Sequence, residues 1–256
     1  GRVAVYSLMS GKPLAAGEMG AFVTDDREIR DRAIAFGHYI RYNENEVETD
    51  YLLDWQGLPL GGYKYRVNQL SSALARTQLA AYDERMAAIQ EAMNYFWDRV
   101  EEIPGLTGHR PDPASGSTMG GWYSPMGHYR PEAMGGLSVR RFVEAVRAEG
   151  SFCIPGGYRP LHLHPLFNTV DVYGHGKPTR IANSDRDLRQ PSGSLPVSES
   201  VNQRLVKVPW FKYPDHSEID RHIAAYHKVM SNYTDLLPGD PGNQGGVGAW
   251  SAYHRS

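Results

Sequence analysis

Short apolar runs separated by polar turns open the chain. Residues 3–6 and 21–24 are two such runs, each four residues long; the first lies between Arg2 and Ser7 and the second between Gly20 and Asp25. Runs of this length are typical of β-strands. A helical spacing follows at residues 27–36, where Asp25 or Asp26 would cap the first turn and three apolar residues would share one face: Ile29, Ala33 and Phe36. Two strands and a helix are therefore predicted.

The longest helical pattern covers residues 67–103. Apolar residues recur there at spacings of four and three, which is the repeat of one buried helix face: Tyr82, Met86, Ile89, Met93, Phe96, Val100 and Ile103. This stripe is interpreted as core or subunit contact rather than as a cofactor site. Pro104-Gly105 is predicted to end the helix. Residues 39–60, which precede this pattern, are polar and turn-rich and are predicted to form a long loop.

Beyond residue 105 predicted strands and helices alternate. Residues 109–116 are rich in Pro, Gly, Ser and Asp, which indicates a loop near a domain boundary. Strands are predicted at 119–129, 152–154 and 206–208, and helices at 138–149, with Ser138 as cap, and at 218–230. The order indicates a mixed α/β fold in three parts: part of a large domain at 1–105, a small C-terminal α/β domain at 106–237 and a loose tail at 238–256.

Composition narrows the class of protein. The chain has 256 residues, of which 41% are hydrophobic and 22% charged, as in ordinary globular proteins. A net charge of −2 gives no basic surface for nucleic acid or an anionic membrane. No apolar run approaches the roughly 20 residues of a membrane span. The single cysteine, Cys153, excludes an intrachain disulfide and suits a reducing cytoplasm.

The most unusual polar residue is Lys12, in the turn between the two predicted strands. We expect both strands to be buried, and a lysine is almost never fully buried unless it is paired. Desolvation favours the neutral amine, which is a nucleophile towards aldehydes. The alternative from spacing alone is an ordinary lysine in solvent.

The segment around Lys12 resembles a known cofactor-binding motif. It reads Ser7-Leu8-Met9-Ser10-Gly11-Lys12-Pro13-Leu14-Ala15-Ala16-Gly17-Glu18-Met19-Gly20. The DegT/DnrJ/EryC1/StrS family of pyridoxal-phosphate-dependent sugar aminotransferases has Ser-Phe-His-x-x-Lys-x-Leu-x-x-Gly-Glu-Gly-Gly. The differences are at Leu8, Met9 and Met19. The resemblance implies a fold of type I, the aspartate-aminotransferase-like α/β fold. It also implies that Lys12 forms a Schiff base with pyridoxal 5'-phosphate and that Ser7 binds its phosphate.

Two further segments extend the resemblance. Gly62-Tyr63-Lys64-Tyr65-Arg66-Val67 is similar to the family's Gly-Tyr-Asn/Lys-Tyr-Arg-Met loop. The resemblance implies that Lys64 and Arg66 approach the cofactor phosphate of the partner in a homodimer with shared active sites; surface charges are the alternative. Residues 154–167 are similar to the family's Tyr-x-Pro-Leu-His-x-x-Pro segment and suggest His162 and Tyr158 as substrate-side residues. His38 is a weaker candidate of the same kind.

For His162 two alternatives stay open. His162 and His164 stand two residues apart, so both side chains of an extended chain would face the same way and could bind zinc. No convincing third ligand stands nearby in sequence, and no metal is predicted. Partly buried histidines that bond to the backbone are the other alternative.

The resemblance implies a transaminase that moves an amino group from glutamate or glutamine to a nucleotide-linked keto-sugar or a keto-cyclitol, in amino-sugar or antibiotic-type biosynthesis. Lysine at position 12 favours transamination, because dehydratases of the family have histidine there. Family members also carry a long segment before this lysine, with the pyridine-nitrogen and ring-stacking partners. We therefore expect the C-terminal part of a longer or split enzyme, unstable or inactive alone. A non-catalytic fragment or pseudo-enzyme subunit that binds a partner chain is the alternative.

Overall fold

A computed structural model of the chain describes residues 1–38, 46–58 and 60–243. The chain divides into two compact units, Gly1–Met86 and Ala87–Ser256, and the boundary falls inside a long helix. The predicted domain division after residue 105 stays a prediction. None of the helices in these ranges is both long and apolar enough to cross a membrane.

The N-terminal unit opens with the two predicted strands. β1 (Ala4–Ser7) and β2 (Gly20–Val23) form an antiparallel pair in which Ser7 lies opposite Gly20. The expectation that both strands are buried is wrong, because a two-stranded sheet covers neither of its own faces. Val5, for example, is 74% exposed.

The first helix confirms its predicted cap but not its predicted face. α1 spans Arg27–Gly37, and the Asp26 carboxylate accepts a hydrogen bond from Ile29 N at 3.1 Å. Ala33 and Phe36 are exposed, whereas Asp31 and Ala35 are buried. The buried face contains an aspartate, so a search for regularly spaced apolar residues does not find it.

Asp31 explains why α1 turns that face inwards. Its Oδ2 atom accepts hydrogen bonds from Glu48 N at 3.0 Å, from Thr49 N at 2.9 Å and from Thr49 Oγ1 at 2.7 Å. Next to it, Ala35 packs with Val47 and Leu52 in a small apolar cluster. The carboxylate therefore fastens the chain after residue 46 to the helix.

The remaining helices of this unit differ from the prediction in two ways. Within the predicted loop 39–60 the structure has a short helix, α2 (Asp50–Leu53); residues 39–45 and 59 lie outside the described ranges. The single helix predicted over 67–103 is two helices, α3 (Gln69–Ala80) and α4 (Tyr82–Val100). They meet at Ala81, whose backbone leaves helical geometry at φ −104° and ψ 13°. α3 has no buried residue, and Leu70 is 80% exposed.

The C-terminal unit is built on α4 and a four-stranded antiparallel sheet. The predicted stripe is confirmed for the part of α4 in this unit, where Ile89, Met93, Phe96 and Val100 are buried. The sheet has the order β3-β4-β6-β5. Its strands are β3 (Leu106–Gly108), β4 (Met126–Tyr129), β5 (Ile154–Pro155) and β6 (Leu205–Lys207). β3 was not predicted, and β4 occupies only the end of the predicted strand 119–129.

Besides short 3-10 turns, the described part of this unit has four more α-helices: α5 (Val139–Ala148), α6 (Pro165–Asn168), α7 (Pro196–Ser200) and α8 (His216–Ser231). α5 and α8 confirm the predicted helices, pack against each other, and α5 is capped by Ser138 as predicted. Asp240, within the predicted loose tail, accepts a hydrogen bond from Ser138 N at 2.7 Å. The beginning of that segment is therefore anchored, while residues 244–256 lie outside the described ranges.

Candidate functional site

The turn between β1 and β2 is held by backbone hydrogen bonds across its base. Leu8 N donates to Met19 O at 2.9 Å, and Ala16 N donates to Leu8 O at 2.8 Å. Gly17 has a φ of +78°, a conformation that favours glycine. Lys12 lies in this turn, and its backbone N donates to Met9 O at 2.9 Å. Lys12 is half-buried, whereas its place between two apolar runs predicts a buried residue.

A cavity of about 590 Å³ lies beside this turn. Lys12 and Ser7 both line it, so the structure brings these two predicted site residues together. Most of the other wall residues are apolar, among them Leu8, Pro13, Leu14, Met19, Ala21 and Leu79. The Ser7 hydroxyl accepts a weak hydrogen bond from Met9 N at 3.5 Å, which points its oxygen back towards the turn. An amine and a hydroxyl thus share one largely apolar cavity.

Sequence reasoning missed a third polar group on this cavity. Arg76 lines it from α3 and supplies a guanidinium. α3 lies close to the hairpin turn, since a Cβ on Gly17 would be 3.9 Å from Ser71 Oγ. The spacing of Ala75, Arg76 and Leu79, which all line the cavity, would have placed them on one helix face. Only the folded chain, however, sets that face against the hairpin.

Lys64 and Arg66 are exposed and are not among the described residues that line this cavity. Lys64 instead pairs with His38 in an isolated antiparallel bridge, next to a hydrogen bond from Tyr65 N to Gly37 O at 2.7 Å. Glycine permits this approach, because a Cβ on Gly37 would lie 2.5 Å from Tyr65 Cδ2. Two candidate residues that are distant in sequence are thereby brought together.

His38 is half-buried at the end of α1, where its backbone N donates to Ile34 O at 2.7 Å. Its Nδ1 atom is buried and has no hydrogen-bond partner in the part of the chain that the structure describes. An unsatisfied ring nitrogen of this kind is able to bond a ligand.

The other candidate residues lie in the C-terminal unit. His162 is buried, and its Nε2 lies 3.0 Å from Glu199 Oε1. Glu199 also accepts from Gly193 N at 2.8 Å, and this bond, followed by the His162 contact, lowers the pKa of Glu199 to about 2. Tyr158 is 71% exposed. His164 Nδ1 accepts from Leu166 N at 3.0 Å and so caps α6.

The side chains around Lys12 suit the binding of a phosphorylated aldehyde better than the binding of a metal ion. Within the described ranges no group of three or more His, Cys, Asp or Glu side chains is placed to hold a metal ion. The cavity beside Lys12 offers an amine that can attack an aldehyde, a hydroxyl and a guanidinium that can bind a phosphate, and apolar walls for a ring. This donor set fits a phosphorylated aromatic aldehyde.

The chain is similar in sequence to known aminotransferases. The sequence profile of the DegT/DnrJ/EryC1/StrS aminotransferase family matches residues 1–226. The chain is 30% identical to an L-glutamine:scyllo-inosose aminotransferase of Streptomyces griseus over 92% of this chain and 55% of the relative. It is 26% identical to an L-glutamine:2-deoxy-scyllo-inosose aminotransferase of Micromonospora echinospora, over 92% of this chain and 54% of the relative. The chain therefore spans about half the length of the curated relatives that it matches.

Solved structures show the same fold. S. venezuelae DesV, solved in complex with a ketimine intermediate, has a TM-score of 0.64 at 21% identity, over 91% of this chain and 53% of that chain. An aminotransferase from Psychrobacter cryohalolentis has a TM-score of 0.65 at 18% identity, over 91% and 57%. These likenesses confirm the predicted α/β class, the type I fold of pyridoxal-phosphate-dependent aminotransferases.

Proposed function

Because the chain belongs to the DegT/DnrJ/EryC1/StrS aminotransferase family, we propose that it takes part in pyridoxal-phosphate-dependent amino transfer to a keto-cyclitol or keto-sugar. The observation that carries the proposal is the shared cavity of Lys12 and Ser7. Two relatives are named as glutamine-dependent inosose aminotransferases, which supports glutamine as donor and a keto-cyclitol as acceptor.

Pyridoxal phosphate, when bound, supplies an electron sink for the carbon that carries the amino group. In the proposed arrangement Lys12 would hold the cofactor by its aldehyde group, and the Lys12 amine would hold or move a proton at the substrate carbon. The Ser7 hydroxyl and the Arg76 guanidinium, which line the same cavity, would hold the phosphate, because a dianion favours fixed donors and cationic groups. Leu8 and Leu14 supply apolar wall that excludes water from the reacting atoms.

A homodimer with shared active sites is part of the proposal. Lys64 and Arg66 are exposed and do not line the Lys12 cavity of their own chain, which supports a role on the cofactor phosphate of a second subunit. His38, His162 and Tyr158 are proposed on the substrate side. The buried Nδ1 of His38 supports this role. For His162 the 3.0 Å contact with Glu199 supports the structural alternative. We place the reaction in the cytoplasm.

Transfer of labelled nitrogen tests the proposed function. The chain, supplied together with the segment that family members carry before the lysine, is incubated with pyridoxal phosphate, glutamine labelled with ¹⁵N at its α-amino group, and scyllo-inosose. Mass spectrometry is expected to find the label in an aminated cyclitol. Lys12→Ala is expected to abolish the transfer, whereas Lys177→Ala, which changes an exposed lysine of the C-terminal unit, is expected to preserve it. Labelled product from the Lys12→Ala protein would contradict the proposal.

A subunit that binds a partner chain without turning over substrate is the second candidate function. The exposed apolar side chains of β1 and α3, such as Val5 and Leu70, favour it because they offer a surface for another chain. Such a subunit would form a stable complex but would transfer no labelled nitrogen in that complex.

A further inference from the structure

We propose a second ligand site in the C-terminal unit, a polar cleft of about 680 Å³ that binds a polyhydroxylated amine such as an amino sugar or an aminocyclitol. The cleft lies between α4 and the segment 110–122. Its volume is in the range of small-molecule sites in proteins.

One wall of the cleft is the polar side of α4. Gln90, Asn94 and Asp98 follow one another at spacings of four along this helix, Glu101 comes directly after its last residue, and all four line the cleft. The buried stripe of the same helix, which includes Met93 and Phe96, faces the core instead. The amphipathic pattern of α4 thus gives the cleft a wall of amide and carboxylate groups on a rigid element.

The opposite wall is the loop 110–122, which is rich in Pro and Gly, and hydrogen bonds join both of its ends to α4. At one end Arg110 donates to Asp98 Oδ1 at 2.6 Å and to Glu101 Oε2 at 2.7 Å. At the other end Gln90 Nε2 donates to Gly120 O at 2.6 Å, and Trp122 Nε1 donates to Gln90 Oε1 at 2.9 Å. These hydrogen bonds at both ends fix the loop on the helix before any ligand binds, which lowers the entropic cost of ordering the two walls.

The charge of the lining selects the ligand. Three carboxylates, those of Asp98, Glu101 and Asp112, line the cleft together with one guanidinium, that of Arg110. Arg110 already makes two ion pairs, so its charge is balanced. The Asp98 side chain remains 65% exposed and able to accept from a further donor. An ammonium group is therefore favoured here over a carboxylate or a phosphate.

Neutral groups complete the wall. Asn94, Thr107, Ser117 and Thr118 line the cleft with amide and hydroxyl groups, which both donate and accept hydrogen bonds. Ligand hydroxyls also do both, so a compound with several hydroxyls and one ammonium matches the lining. The residues that line the cleft all lie between positions 90 and 122, whereas those that line the Lys12 cavity lie between 6 and 82. The inference is thus independent of the proposed function.

Nuclear magnetic resonance on the full chain tests the site, because the indole N–H of Trp122 lies in the cleft wall. Glucosamine is expected to shift this signal saturably, with glucose about tenfold weaker and glucose 6-phosphate weaker still. Asp98→Asn is expected to weaken glucosamine about tenfold and to leave glucose unchanged. Because Asp98→Asn also removes an ion pair with Arg110, a second variant is needed. Asn94→Ala should weaken the binding of both sugars equally.

Two controls separate this cleft from other binding. Asn183→Ala, an exposed amide outside the cleft, and Lys12→Ala should both leave the glucosamine titration unchanged. The proposal is overturned by a Trp122 signal that does not respond to glucosamine, by equal affinity for glucose and glucosamine, or by preferred binding of the phosphate. Unchanged glucosamine binding in both Asp98→Asn and Asn94→Ala would overturn it as well.

Discussion

Lys12 and Arg76 line the same cavity, one from the turn between β1 and β2 and the other from α3. The amine and the guanidinium are therefore available to the same bound molecule. A guanidinium presents several donors in a fixed plane and suits a phosphate, whereas a single amine suits an aldehyde. Loss of the guanidinium should therefore affect a ligand with a phosphate and spare one that has only the aldehyde.

Arg76→Ala is expected to weaken retention of pyridoxal phosphate about tenfold, because one charge-assisted contact to the phosphate is lost. Binding of pyridoxal, which has the aldehyde but no phosphate, should stay unchanged and serves as the internal control. Equilibrium dialysis of both compounds measures the difference. An equal loss for pyridoxal would show that Arg76 does not act on the phosphate.

Mixing two inactive variants tests the shared active site. In Lys12→Ala the amine is missing, and in Lys64→Ala the cation proposed to reach the partner's cofactor is missing. A mixed dimer would contain one site with both groups, so transfer activity should return after the two proteins are mixed and allowed to reassociate. If native mass spectrometry shows mixed dimers that stay inactive, the sharing of sites between subunits is wrong.

The buried carboxylate of Asp31 is expected to stabilise the N-terminal unit. Asp31→Ala leaves two backbone N–H groups and the Thr49 hydroxyl without their acceptor, which should lower the free energy of unfolding by about 3 kcal/mol. Thr49→Val removes only one of these bonds and should cost about 1 kcal/mol. Urea unfolding of both variants measures the two values. Equal effects would contradict the assignment of Asp31 as the common acceptor.

Acid should loosen the contact between His162 and Glu199. The pKa of Glu199 is lowered to about 2, mainly by the Gly193 N–H and next by His162, whereas the pKa of an ordinary glutamate is about 4.3. The stabilisation is thus complete above pH 4.3 and is lost as the pH falls towards about 2.

Hydrogen exchange at Gly193 and Leu195 is the measurement for this acid effect, because both N–H groups donate to Glu199. Protection should fall across that pH range in the native protein. Glu199→Gln, which cannot ionise, should show low protection that does not change with pH. The same pH profile in both proteins would rule out Glu199 as the titrating group.

Features that depend on neighbouring residues in sequence were predictable. The Asp26 cap of α1 is a local hydrogen bond, and the buried stripe of α4 is a simple repeat. Ser7 ends β1 and Lys12 follows five residues later in the turn, so their shared cavity follows from a short segment. These features are set mainly by local backbone geometry.

Features that depend on distant contacts were not predictable from the pattern. Asp31 is buried because Thr49 folds back to it, and no repeat of apolar residues signals this. Arg76 joins the cavity only because α3 lies against the hairpin turn. β3 is three residues long, and its edge position depends on pairing with β4.

Reductive trapping tests most directly whether Lys12 binds the aldehyde of pyridoxal phosphate. The protein is treated with pyridoxal phosphate and sodium borohydride, digested and mapped by mass spectrometry. The chain carries five other lysines as internal controls: Lys64, Lys177, Lys207, Lys212 and Lys228. We expect the pyridoxyl mass on the peptide that contains Lys12 and its loss in Lys12→Ala. Labelling of the other lysines with none on Lys12 would contradict binding of the aldehyde by Lys12.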